Sequence, residues 1–117
     1  MRVAIAGCVH GNFKLLSDEI NRIEEENGKL DLILLCGDLQ TPRTGNSDDI
    51  ESMKLKSSHM WPGEFHMVES GELKFPCPII ATGGNHEAYN FLSQLPYGGY
   101  IEENFFYGGR SSLLTFK

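Results

Sequence analysis

The sequence has no long apolar run, no excess of basic charge and no even set of cysteines. Its longest uninterrupted hydrophobic stretches are a few residues, far short of the roughly 20 needed to cross a bilayer, so no membrane-spanning helix is expected. The apolar run Val3 to Ala6 behind Arg2 is too short for the core of a signal peptide, and no small-residue cleavage site follows it. Without such a signal, Cys8, Cys36 and Cys77 are expected as reduced thiols, and their odd number argues against a disulfide framework. Ten Lys and Arg against 16 Asp and Glu give a formal net charge of −6, the wrong sign for gripping nucleic acid by a broad basic surface. A phosphate-bearing substrate would need positive charge from elsewhere, and a bound divalent metal is the natural source.

What is present suits one compact unit. The chain has 117 residues, 40% of them hydrophobic and 22% charged, enough for one domain and too few for two ordinary ones. Arg2 to Ala6 reads as a strand buried on both faces. Gly7 to Asn12 is a loop, with Asn12 placed to cap a helix. From Phe13 to about Glu26 the residues Leu15, Leu16, Ile20 and Ile23 recur at helical spacing, and Asn27-Gly28 stops the helix. Leu30 to Leu35 reads as a second buried strand. A strand, a helix and a strand in this order predict a βαβ unit with parallel strands.

Beyond it the pattern weakens. Thr41 to Ser58 is polar and turn-rich, with a short helix expected within Asp48 to Leu55, and Ser57 to Lys74 carries no clear period. Pro78 to Ala81 predicts a third strand, and Glu87 to Leu95 an amphipathic helix ended by Pro96. Tyr97-Gly98-Gly99 reads as a turn, Phe105-Phe106-Tyr107 as a fourth strand, and Leu113 to Phe116 as the start of a hairpin partner.

Polar loops follow each of the first three predicted strands: Gly7-Cys8-Val9-His10-Gly11-Asn12, Cys36-Gly37-Asp38 and Thr82-Gly83-Gly84-Asn85-His86-Glu87-Ala88. Open α/β sheets place ligands at this carboxyl edge of the strands. Cys8 and His10 offer a thiolate and an imidazole, good donors for zinc or iron. Asp38 offers a carboxylate able to bridge cations, Asn85 a neutral oxygen and His86 a second imidazole. Singly, each has a plainer reading: Cys8 as core filler, Asp38 as a turn residue, His10 as a loop residue. Their joint position after three strands favours a metal or acid–base site.

These motifs resemble the amino-terminal half of the calcineurin-like metallophosphoesterases, whose pattern opens on Asp-x-His; Cys8 stands where that Asp would be. Cysteine there, with the opening run Met1 to Cys8 and with Leu95-Pro96-Tyr97-Gly98-Gly99, is similar to the RNA lariat debranching enzymes of that superfamily. Ser58-His59-Met60 and Ser70-Gly71-Glu72 add to the likeness, which covers nearly the whole chain. The resemblance implies an α/β fold with a mostly parallel sheet and βαβ units, the amino-terminal half of an α/β/β/α sandwich, with residues 1–117 as the amino-terminal portion of an incomplete domain. It implies metal-dependent hydrolysis of the 2′–5′ phosphodiester at an intron branch point, during mRNA processing and intron turnover, in the nucleus and also the cytoplasm.

In that reading Cys8 and His10 ligate a first metal, Asp38 bridges two, Asn85 ligates the second and approaches the phosphate, and His86 protonates the leaving oxygen. The implied ions are divalent Fe²⁺, Zn²⁺ or Mn²⁺, the thiolate disfavouring Mg²⁺. The implied partner is branched (lariat) intron RNA, with no membrane and no stable protein partner. The family's later histidine ligands and its lariat-recognition loop have no counterpart here, so the isolated chain is expected to be an inactive or incomplete fragment. The alternatives are a general metallophosphoesterase on another phosphoester, and an inactive binding module. His59 and His66 are read as surface or packing histidines, Trp61, Phe65 and Tyr97 as packing residues, and Glu24-Glu25-Glu26 as a solvated helix end.

Overall fold

A computed structural model describes residues 1–55 and 61–115. The strands β1 (Val3–Gly7), β2 (Leu32–Cys36), β3 (Ile79–Thr82), β4 (Gly99–Glu102) and β5 (Phe105–Tyr107) form one sheet in the order β1-β2-β3-β5-β4. The helices are α1 (Phe13–Asn27), α2 (Ser47–Ser52), α3 (Phe65–Glu69) and α4 (Tyr89–Leu92). All strand pairs are parallel except β4 with β5. The fold is therefore α/β with a mostly parallel sheet, opening on the expected β1-α1-β2 unit.

The two faces of the sheet differ. On one, Ile33, Leu35, Ile79, Ala81, Phe105 and Tyr107 are buried under the helices. Phe13 at the start of α1, Phe65 at the start of α3 and Phe105 of β5 meet there, with ring centroids 5.9, 6.0 and 6.3 Å apart in tilted and edge-on contacts. Such contacts add about 0.5–1.5 kcal/mol each beyond the area that the rings remove from water. On the other face, Ile5, Leu34, Ile80, Phe106 and Tyr100 follow one another across the register. That row is largely uncovered, with Ile5 69% and Tyr100 71% exposed.

Several expectations change. Among the described residues β1 lies at the edge of the sheet, and it is not buried on both faces: Val3 and Ile5, on the uncovered face, stay exposed. In α1 the core-facing residues are Phe13, Ser17 and Ile20, with Leu16 and Ile23 packed beside them, while Leu15 turns outward. Asn12 does not cap α1 with its side chain; its carboxamide instead donates to the Val9 and His10 carbonyls. Glu24 is partly buried and accepts from the Leu30 amide at 2.8 Å, which ties the helix end to the approach of β2. The later helices are shorter than expected, and α3 had no periodic signal to mark it because five residues make too little of a turn pattern. The stretch read as the turn Tyr97-Gly98-Gly99 leads straight into β4. Leu113 to Thr115 form no strand, and Phe116 lies outside the described residues, as do Ser58, His59 and Met60.

A buried carboxylate fastens the short helices. Asp49, fully buried, accepts from the Arg43 backbone and guanidinium at 2.8–2.9 Å and from the Asn90 carboxamide of α4 at 2.7 Å. Asn46 caps α2 by accepting from the Asp49 amide. Burial pushes the Asp49 carboxyl up, but the hydrogen bonds from Arg43 and Asn90 and the guanidinium charge together hold it below its ordinary range. A lowered folded value means that this stability is present above the unfolded value and is lost as the pH falls through the folded one. Asp49→Ala is expected to cost about 3 kcal/mol at pH 7, by denaturant unfolding, and measurably less once the pH has fallen through the lowered folded value. An equal cost at both pH values would contradict the ionised network.

Candidate metal centre

Gly7, Cys36 and Thr82 are register neighbours at the carboxyl ends of β1, β2 and β3, so the loops that follow leave the sheet side by side. Backbone hydrogen bonds join them: His10 N–H to the Asp38 carbonyl at 2.6 Å, Gly11 N–H to that of Leu39 at 2.9 Å, and Gly37 N–H to that of Thr82 at 3.1 Å. The close approach has a steric condition. A Cβ on Gly84 would lie 2.5 Å from the Asp38 amide nitrogen and against its Oδ1, so a residue without a side chain is required.

One donor atom each from Cys8, His10 and Asp38 lies within 4.8 Å of the others. His10 Nε2 is 3.6 Å from Asp38 Oδ2, and the His10 and His86 rings stand 5.5 Å apart between centroids. The His86 amide donates to Asp38 Oδ1 at 2.9 Å, which orients that carboxylate from the third loop. Cys8 is exposed, as are Asn85 and His86, while His10 and Asp38 are partly buried. The structure thus brings Cys8, His10, Asp38 and the His86 ring together, with Asn85 in the turn beside His86.

The backbone here is costly. Cys8, His10, Asp38 and Gln40 all take left-handed φ values of 51°, 49°, 49° and 60°. Each such residue costs on the order of 1–3 kcal/mol, and strain of this kind gathers at functional sites. The alternation re-aims successive side chains, so that Cys8 and His10 reach one cluster from a single short loop.

Three residues that the sequence did not assign to the site support the cluster. Glu87 is 1% exposed, and its carboxylate accepts from the amides of Leu39, Gln40 and Gly84 at 2.8–3.0 Å. It braces the Asp38 loop against the Asn85 loop. Burial pushes its carboxyl above the ordinary range, the three amide donors pull it back, and the Asp38 charge adds to the rise. Its signal was its place in Gly83-Gly84-Asn85-His86-Glu87, where glycine turns leave amides free. Gln40 is buried behind His10 and Trp61 lies over the same loop; no local pattern marked either. Trp61 is 45% and Tyr97 93% exposed, so neither is the packing residue expected. Phe65 is core and His66 lies on the surface.

A calcineurin-like phosphoesterase family model matches residues 1–115. The chain belongs to this family. It is 40% identical over 116 residues to the lariat debranching enzyme of Drosophila melanogaster, 37% over 118 residues to that of Homo sapiens and 36% over 117 residues to that of Saccharomyces cerevisiae. Those alignments take in 98–100% of this chain and 21–28% of the relatives, so the chain spans between about a fifth and somewhat over a quarter of their length.

Calcineurin-like phosphoesterases work with divalent metal ions, and the residues present fit one. A thiolate, an imidazole and a carboxylate within 4.8 Å of one another can share an ion at bond lengths of about 2.0–2.3 Å after small side-chain rotations. The Gly84 contact supplies a test. Gly84→Ala is expected to destabilise the fold by about 1–3 kcal/mol through overpacking and to weaken Zn²⁺ binding by pushing Asp38 off its position. Thermal unfolding and metal titration that both match the unsubstituted protein would mean that the two loops are not in contact.

Proposed function

We propose that this chain carries the metal-binding part of a phosphodiesterase that hydrolyses the 2′–5′ linkage of branched RNA. The observation that carries the reading is the meeting of Cys8, His10 and Asp38 with the His86 ring 5.5 Å from that of His10. The likeness to lariat debranching enzymes supports the substrate class. In this reading Cys8 and His10 would hold one ion, Asp38 would be shared with a second, and Asn85 would be available to the second ion and the phosphate. Bound divalent ions lower the pKa of water towards ~7 and neutralise phosphate charge. That supplies the positive field which a chain of net charge −6 lacks.

His86 donates a proton to the leaving 2′ oxygen, a role worth about 10²–10⁴ in rate. Its exposure leaves the ring open to a substrate. With a thiolate among the ligands, Zn²⁺, Fe²⁺ or Mn²⁺ is preferred over Mg²⁺. The partner is lariat intron RNA, met in the nucleus during intron turnover.

A chimera in which this chain replaces the matching part of the Drosophila melanogaster enzyme tests the reading. It is expected to cleave a 2′–5′ branch and to leave a linear 3′–5′ strand intact; equal cleavage of both would remove the debranching assignment. Cys8→Asp is expected to move the metal preference towards harder ions such as Mg²⁺, read by activity against a series of metals. An unaltered profile would mean that Cys8 is not a ligand.

A further inference from the structure

Behind His10 three residues close a ring of hydrogen bonds. His10 Nδ1 lies 3.0 Å from Gln40 Oε1, Gln40 Nε2 donates to the Trp61 carbonyl at 2.8 Å, and the Trp61 indole N–H donates to the His10 carbonyl at 2.9 Å. The directions are fixed by chemistry. A carbonyl has no proton to give, so the group facing Trp61 must be the amide NH₂ of Gln40. Its oxygen then faces His10, and because that oxygen can only accept, Nδ1 must carry the hydrogen. Nε2, on the Asp38 side at 3.6 Å, is left with its lone pair free.

Gln40 itself has no room to choose otherwise. It is 4% exposed and held at φ 60°, and its backbone N–H donates to Glu87 Oε1 at 2.9 Å. The segment carrying Trp61 is pinned in turn: Gly63 meets Gly11 so closely that a Cβ on either would sit 2.5–2.8 Å from the other's Cα.

We propose that Gln40 is the positioning residue of the metal centre. It holds His10 as the Nδ1–H tautomer and thereby presents Nε2 to the ion, while Trp61 keeps the Gln40 carboxamide from flipping. The proposal rests on the metal-centre reading for its purpose and on the hydrogen-bond ring for its geometry. Outer partners of metal-bound histidines fix ring orientation in this way, and losing one costs about 10–100-fold in metal affinity.

The test reads the tautomer directly, by ¹⁵N chemical shifts of the His10 ring in the metal-free chain, together with Zn²⁺ affinity by chelator competition. The unsubstituted chain is expected to show Nδ1–H. Gln40→Met, of similar length but without hydrogen-bonding atoms, is expected to move the ring towards Nε2–H and to bind Zn²⁺ about 10–100-fold more weakly. Gln40→Glu keeps an acceptor for Nδ1 but loses the donor to the Trp61 carbonyl, so it is expected to keep Nδ1–H and to recover only part of the affinity. An unsubstituted chain in the Nε2–H form overturns the proposal, as does a Gln40→Met chain that keeps both the tautomer and the affinity. Should Gln40→Met not fold, Gln40→Glu decides, and Nε2–H in that variant is equally fatal. Failure of the unsubstituted chain to bind Zn²⁺ strikes the metal-centre reading instead, and the ring shifts still read Gln40.

Discussion

Three parallel strands that end at one level are the constraint on which the site depends. Because Gly7 pairs with Cys36 and Cys36 with Thr82, residues distant in the chain begin their loops within one strand spacing of each other. The loops then have to satisfy their own backbone groups, and they do so mutually, through His10 to Asp38, Gly37 to Thr82 and the shared acceptor Glu87. A buried carboxylate is expensive unless it is hydrogen-bonded. Here that cost is offset by amides that would otherwise be stranded in a crowded turn, so the brace and the turns stabilise one another.

How much of this could be read from the residues alone depended on range. The β1-α1-β2 unit was legible because its apolar runs are bounded by clear stop signals. That Cys8, His10 and Asp38 lie together, with His86 beside them, was legible because each sits just past such a run. The edge position of β1 was not, since Val3 to Ala6 reads the same whether one neighbour strand flanks it or two. Asn12 looked like a cap, but a loop that must turn left-handed at His10 draws its carboxamide towards Val9 and His10 instead. Gln40 escaped notice, and Trp61 was read only as packing, because what they do is settled by partners far off in the sequence.

The molecule separates what holds it together from what it strains. The Phe13, Phe65 and Phe105 cluster and the Asp49 network lie below and beside the rim, among buried residues in favourable geometry. The rim concentrates left-handed residues, a raised carboxyl and a glycine contact without slack. Rigid support beneath a strained edge is what lets side chains from separate loops keep their positions relative to one another.

The left-handed backbone also narrows what evolution or an engineer can put at these positions. Glycine visits that region freely and asparagine and aspartate at less cost than most residues, whereas β-branched residues are poorly tolerated there. A swap of Cys8 for Asp keeps a residue at ease with the local twist, while Val at Cys8 or Thr at Gln40 would fight the chain before chemistry is considered. Two filters therefore act on the same loops, one for what a side chain can bind and one for how its own peptide can bend, and few amino acids pass both.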